Sequence, residues 1–246
     1  MRQSFAPRMI PRLAGLSLLG LCVLAAPISA KDADPGFLPK SQQYDPAHFL
    51  PPPPAEGSPR ALREMAELKQ IMAQATPQQV AAARFDSDNE NGTIFAAVLG
   101  PSWDLAKLPA TAKLLDDVTN SEGNFSDVAK AEFHRKRPWM VDSSIQTCAP
   151  HKPSQDLASY PSGHATVGYG MGIVLAAVMP DHAQEILGRS AQFAENRLVC
   201  GFHFRSDIVA GQQFATIFAL RLMENPQFQK DMAAAQVELR AAHLAP

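Results

Sequence analysis

Three short segments carry side chains that suit the chemistry of an oxyanion. In the first, Lys130-Ala131-Glu132-Phe133-His134-Arg135-Lys136-Arg137-Pro138, two cations stand seven residues apart. Seven residues are about two turns of an α-helix, so Lys130 and Arg137 would share one helix face. Pro138 disfavours helical geometry at Arg137, and the helix is expected to end there. Such a helix end suits an anion, and it equally complements the helix dipole in solvent. The second segment, Pro161-Ser162-Gly163-His164, opens a run of small residues. A helix starting there turns unpaired backbone N–H groups toward an anion. Gly163 would let the anion approach the backbone, and His164 would stand beside it with a proton to donate. A plain capped helix start is the alternative. The third segment runs from Asn196-Arg197 to His203 and Asp207. His203 and Asp207 are four apart, neighbours on a helix face. A carboxylate that accepts one ring N–H fixes the tautomer and leaves the other nitrogen's lone pair free. That makes an oriented nucleophile or base, although a structural pair would read the same. Arg197 adds a planar donor.

His164, His203 and Asp207 also form a set of two histidines and one carboxylate, a pattern known to hold metals. Lys130, Arg137 and Arg197 oppose a dication at the place where they would stabilise an anion. No metal is expected.

Helices must position these groups. Ser58-Pro59 and Thr76-Pro77 are helix starts, and Leu62, Met65, Leu68 and Ile71-Met72 recur at helical spacing behind the first. Gly92 to Leu99 reads as a buried helix, with weaker helices over about 110–119 and 125–136. Gly163 to Met179 is apolar and rich in small residues. Gly168 and Gly172 leave one of its faces bare for a neighbouring helix, which predicts a central core helix. Further helices are expected at 182–199, 205–223 and 226–243, with Gly201 as the stop after the first of these. No strand alternation and no repeat is visible. The expected fold is all-α, a single-domain helical bundle over 60–246. Phe133, Trp139 and Tyr160 flank the motifs as core or pocket residues, and Ser154, Gln155 and Asp156 form a loop nearby.

Residues 31–59 hold Pro35, Pro39, Pro46, Pro51 to Pro54 and Pro59, which excludes a helix and predicts an extended arm along the body. Residues 1–30 read as a signal peptide. Arg2, Arg8 and Arg12 come first, Leu13 to Ala26 is uncharged and mostly apolar, and Ile28-Ser29-Ala30 precedes Lys31. The apolar stretch is short for a membrane anchor. Cys22 does not mark a lipoprotein, because Leu21 stands where a small residue is needed. Loss of residues 1–30 moves the net charge from −2 to −5 and leaves Cys148 and Cys200. In an oxidising compartment these read as one disulfide, with two buried thiols as the alternative. The charge gives no reason to expect nucleic acid, and no apolar run is long enough for a bilayer span.

The order Lys-x6-Arg-Pro, Pro-Ser-Gly-His, Arg-x5-His-x3-Asp resembles the phosphatidic-acid-phosphatase type 2 and vanadium haloperoxidase superfamily. The chain looks most like its secreted branch, the class A bacterial non-specific acid phosphatases, which the run Phe49 to Ser58 also resembles. The resemblance implies a periplasmic, metal-independent and cofactor-free hydrolase of small phosphate monoesters, with an acidic optimum. His203 would become a phosphohistidine, Asp207 would orient it, and His164 would protonate the leaving oxygen. Lys130, Arg137, Ser162, Gly163 and Arg197 would hold the phosphate. The family has Ser-Arg where this chain has Asn196-Arg197, which leaves the phosphate geometry there less defined. Vanadium-dependent haloperoxidation and phosphotransfer to alcohols or nucleosides are the alternative activities. No membrane partner is implied after leader cleavage, and a homodimer is one candidate assembly.

Overall fold

Capping residues written into the sequence start the first helices. Ser58 accepts the Ala61 N–H at 3.2 Å ahead of Pro59. Thr76 and Gln79 form a reciprocal capping box ahead of Pro77. The computed structural model describes Phe37 and residues 45–245, except the side chain of Asn124. The expected leader 1–30, with Cys22, and all of the arm before residue 45 other than Phe37 lie outside the described residues. Described residues 45–245 belong to one unit, Asp34–Pro246.

The helices are α1 (Pro59–Gln74), α2 (Pro77–Asp88), α3 (Ala96–Leu99), α4 (Pro109–Phe133), α5 (Pro138–Val141), α6 (Gly163–Val178), α7 (Ala183–Val199), α8 (Arg205–Glu224) and α9 (Pro226–Ala241). Among the described residues there is no strand, and no helix is long and apolar enough to cross a membrane. The fold is all-α. The arm reaches the body at Leu50, which is buried, and at Pro51, whose carbonyl accepts the Tyr160 hydroxyl at 2.6 Å.

Helix α6 is the core helix, packed against α7, α8 and α4. Val167, Met171, Val174 and Leu175 are fully buried on it. Its glycines set the spacing to its neighbours. A Cβ on Gly168 would lie 2.5 Å from the Phe193 ring of α7, and one on Gly172 would land on Ser190 Oγ of the same helix. On the α8 side the small residue belongs to the partner: a Cβ on Gly211 would lie 2.7 Å from the Ser162 carbonyl oxygen. Phe125, Phe214 and Phe218 fill the space between α4 and α8, with ring centroids at 4.4 and 5.3 Å.

Three expectations need correction. The weak helices at 110–119 and 125–136 are one helix, α4, running through Asn120-Ser121-Glu122-Gly123-Asn124. Ser121, Glu122, Phe125 and Ser126 are buried there, so tertiary packing overrides the poor propensity of that stretch. The helix also stops earlier than expected. His134 takes the left-handed conformation at φ 45° and Arg137 is extended, so Lys130 and Arg137 do not share a helix face. The expected buried helix at Gly92 to Leu99 is a 3-10 turn, Gly92–Phe95, that runs into α3, and only the turn is buried. Cys148 and Cys200 form a disulfide, and the Cys148 N–H donates to the Cys200 carbonyl at 3.1 Å.

Candidate active site

His203 stands in the short link between α7 and α8. Gly201, at φ +73°, turns the chain out of α7, and α8 starts two residues after His203. The pairing with Asp207 therefore arises from a helix start and not from a shared helix face. Asp207 Oδ2 accepts the Phe204 N–H at 2.8 Å, as a cap does, and the Ser159 hydroxyl at 2.7 Å. The same oxygen lies 3.3 Å from His203 Nδ1, while Oδ1 accepts Arg135 Nη1 at 2.6 Å. Arg137 Nη1 lies 2.7 Å from His203 Nε2. A guanidinium only donates, so Nε2 is the acceptor and the ring proton sits on Nδ1, toward Asp207. Burial, with Arg137, Arg197 and Lys130 nearby, holds the His203 pKa well below the usual histidine range. This favours the neutral ring, with its lone pair on Nε2.

The cations converge on the same place. Arg137 is buried and also donates to the carbonyls of Phe202 at 2.8 Å and Gln155 at 3.3 Å. The backbone N–H of Arg137 donates to the Asp156 carbonyl at 2.8 Å, so the loop around Gln155 positions this arginine. Burial lowers its pKa to about 10. Arg197 is lowered to about 9 by burial and by Arg137. Its Nε and Nη1 are buried and have no partner, while the Phe202 ring lies 4.4 Å from its guanidinium carbon. Lys130 reaches over the start of α6, where a Cβ on Gly163 would lie 2.9 Å from its ammonium nitrogen. Ser162 caps α6 by accepting the Ala165 N–H at 3.3 Å. Its own N–H donates to the Asp207 carbonyl at 3.0 Å, which ties this motif to the start of α8.

His164 follows on α6. Its Nδ1 lies 3.2 Å from Glu90 Oε1 and its ring stacks on Phe193 at 5.8 Å. Burial first, then Arg197 and His203, push its pKa well below the usual range. Asn196 is committed elsewhere. Its amide donates to Asp86 Oδ2 at 2.7 Å and its carbonyl accepts from Gln192 at 2.8 Å. Asp86 also pairs with Arg189.

Four residues of this region carry no motif signal. Arg135 bridges Asp207 and Glu64, donating Nη2 to Glu64 Oε2 at 2.9 Å. It was legible only as part of a basic segment. Ser159 and Glu90 come from loops. Glu122 lies two turns before Lys130 on α4, and its Oε1 is buried without a partner. That oxygen would lie 3.4 Å from a Cβ on Gly163. Trp139 donates to the Asp156 carboxylate at 3.0 Å, and Tyr160 is a core residue against Phe133. A cavity of about 490 Å³ is lined by Leu62, Met65, Phe133, Arg135 and Phe204 among others, and by neither site histidine. Among the described residues no cluster of three or more His, Cys, Asp or Glu is placed to hold a metal ion.

Residues 117–231 match the PAP2 superfamily. The chain is similar to the acid phosphatase of Zymomonas mobilis, at 34% identity over 204 residues, 80% of this chain and 76% of that protein. It is similar to the non-specific acid phosphatase of Salmonella typhimurium, at 30% identity over 88% of both chains. Among solved structures it matches a transmembrane PAP2 type phosphatidylglycerolphosphate phosphatase from Bacillus subtilis with a TM-score of 0.48 and 13% identity, covering 67% of this chain and 85% of that one.

Proposed function

The chain belongs to the PAP2 superfamily and is an acid phosphatase, and on that footing we propose that it cleaves phosphate monoesters through a phosphohistidine on His203, without a metal ion. The observation that carries this reading is the buried Arg197, with Nε and Nη1 unpartnered beside a neutral His203 whose Nε2 holds the lone pair. Buried donors without partners are costly, and an oxyanion satisfies them.

The ester's phosphate binds to Arg197, Arg137, Lys130 and the start of α6 at Ser162 and Gly163. Arg137 then moves its Nη1–H from His203 Nε2 to a phosphate oxygen, which frees the lone pair. Nε2 attacks phosphorus as the bond to the ester oxygen breaks. The incoming negative charge and Glu90 raise the proton affinity of His164, which protonates the departing oxygen. Asp207 balances the charge on the phosphorylated ring. Water then attacks phosphorus, His164 takes its proton, and phosphate leaves. Three fixed cations supply the charge stabilisation that phosphoryl transfer needs. The basic-apolar-small N-terminus and the Cys148–Cys200 bond fit a periplasmic enzyme.

The test is hydrolysis of p-nitrophenyl phosphate by residues 31–246 in EDTA across pH 4 to 9, with alkaline-detergent quenching to trap the phosphoenzyme. Expected are turnover that survives the chelator and peaks in acid, and a phosphoryl linkage that is labile in acid and stable in base. His203→Ala should remove the linkage and lower kcat by at least about a thousandfold. Activity that disappears with EDTA and returns with a divalent cation would refute the metal-free mechanism.

A further inference from the structure

We propose that Glu122 is a working part of the phosphate site, leaving Lys130 to the phosphate when protonated and claiming that ammonium when ionised. The inference rests on the phosphate reading of the site. Its basis is geometric. Glu122, Ser126 and Lys130 are spaced four residues apart along α4, so they form one row on that helix. Two ends of the row meet the same glycine: a Cβ on Gly163 would lie 2.9 Å from Lys130 Nζ and 3.4 Å from Glu122 Oε1. Gly163 opens the helix at which the phosphate is read to bind. Glu122 Oε1 is buried and makes no hydrogen bond.

A buried carboxyl with one oxygen unpartnered cannot stay ionised cheaply. Burial raises the pKa of Glu122 to about 7, with Lys130 and the Ser126 hydroxyl opposing it and Glu90 and Asp127 pushing the same way. The groups around it are few. Lys130 and Asp127 lie on α4, and Glu90 comes from the segment after α2. Arg197 of α7 and His164 of α6 act on Glu90. Helix α9 presents Asp231 and Glu238 at the other end of α4, to Lys113 and Thr111. Helix α8 meets α4 through Phe214 and Phe218. Lys130 is thus the cation that an ionised Glu122 would hold. A phosphate arriving above neutral pH must restore the proton on Glu122 or accept a carboxylate beside it. Below neutral pH it meets a neutral acid, and of these carboxyls only Glu90 still draws on the Lys130 ammonium.

Inorganic sulfate is the suitable probe, because it is tetrahedral and does not titrate in this range. Calorimetry on residues 31–246 at pH 6 and pH 8.5 should show affinity falling by up to about thirtyfold, the ratio set by one proton with a pKa near 7. Glu122→Gln should cut that fall to less than about threefold. Equal falls in both proteins would overturn the inference. A second readout needs no variant. At pH 8.5, titrations in two buffers of different ionisation enthalpy should show about one proton taken up per sulfate by the wild-type protein. No uptake would overturn the inference even if Glu122→Gln fails to fold. Failure of sulfate and phosphate to bind at any pH, with no hydrolysis, would instead remove the phosphate reading and this inference with it.

Discussion

Arg135 and His203 depend on one carboxylate in different ways. Arg135 holds Asp207 with one guanidinium nitrogen and Glu64 with the other, and the Ser206 hydroxyl accepts from Arg135 Nη1 and donates to Glu64. All of these groups are buried. Removing the arginine would leave the buried Asp207 without its guanidinium and Glu64 with Arg60 alone as an ion-pair partner at 3.4 Å, at a cost of about 3–5 kcal/mol. Arg135→Lys should be nearly as harmful, since an ammonium cannot fork between them. Arg135 touches Asp207 and not the proposed phosphate position, so it acts through the orientation of His203. Arg135→Lys should therefore lower kcat by about ten- to a hundredfold while KM changes little. A KM that rises with an unchanged kcat would place Arg135 on the substrate instead. Urea denaturation alongside the kinetics separates lost stability from lost orientation. His203, Asp207, Lys130, Arg137, Ser162, Gly163, His164 and Arg197 were all legible as residues, because their types and spacings are unusual together. Arg135, Ser159, Glu90 and Glu122 were not, because a carboxylate in a polar stretch and an arginine among basic neighbours look like solvated surface. Their burial is a fact of packing.

At the scale of elements, α6 sits as close to its neighbours as backbone allows. The two contacts differ in what would have to move. A methyl on Gly172 meets the Ser190 hydroxyl, a side-chain end, whereas a methyl on Gly211 meets the Ser162 carbonyl and the Ala165 Cβ. Gly172→Ala should cost about 1–3 kcal/mol, and adding Ser190→Ala should recover most of it, as thermal melts of the single and double variants would show. Gly211→Ala has no such remedy. It pushes on the residue that caps α6 and whose N–H bonds the Asp207 carbonyl. It should raise KM for p-nitrophenyl phosphate as well as lower the melting temperature. An unchanged KM would mean that the start of α6 does not bear on phosphate. The bare face of α6 could be read from Gly168 and Gly172, and most helix limits from caps and prolines. The continuity of α4 could not. Its middle carries Gly123 among polar residues, and only the burial of Ser121, Glu122 and Ser126 against the body makes it helical. The approach of Arg137 to His203 was likewise hidden, because it depends on the left-handed turn at His134.

For the molecule as a whole, stability and ligand binding are joined through protons. His164 and His203 are held neutral, well below the usual range. A histidine with a depressed pKa stabilises the fold above its unfolded value, about 6.5, and that contribution is lost as pH falls below it. Glu122, raised to about 7, runs the other way. Its contribution is complete below the unfolded value, about 4.3, and is lost as pH rises through about 7. The histidines by themselves would cost the free protein stability on moving from neutral pH into acid, the range in which the enzyme is read to work, while Asp207 and Glu90, raised by burial, oppose that loss. A bound oxyanion offsets the penalty there by raising the proton affinity of His164, while above neutral pH it must first restore the proton on Glu122. Saturating inorganic phosphate, about a hundredfold above its Kd, should stabilise by about 2.7 kcal/mol. At a fixed phosphate concentration the rise in melting temperature should be larger at pH 5 than at pH 8.5. The Cys148–Cys200 bond provides the control. Its 52-residue loop contains Ser162, Gly163, His164 and Arg197, and closing it is worth about 4 kcal/mol in the chain-entropy model. Reduction should lower the melting temperature at both pH values by similar amounts, because no proton is involved. A phosphate effect equal at pH 5 and pH 8.5 would break the link between the site's protons and the fold, whatever the disulfide does.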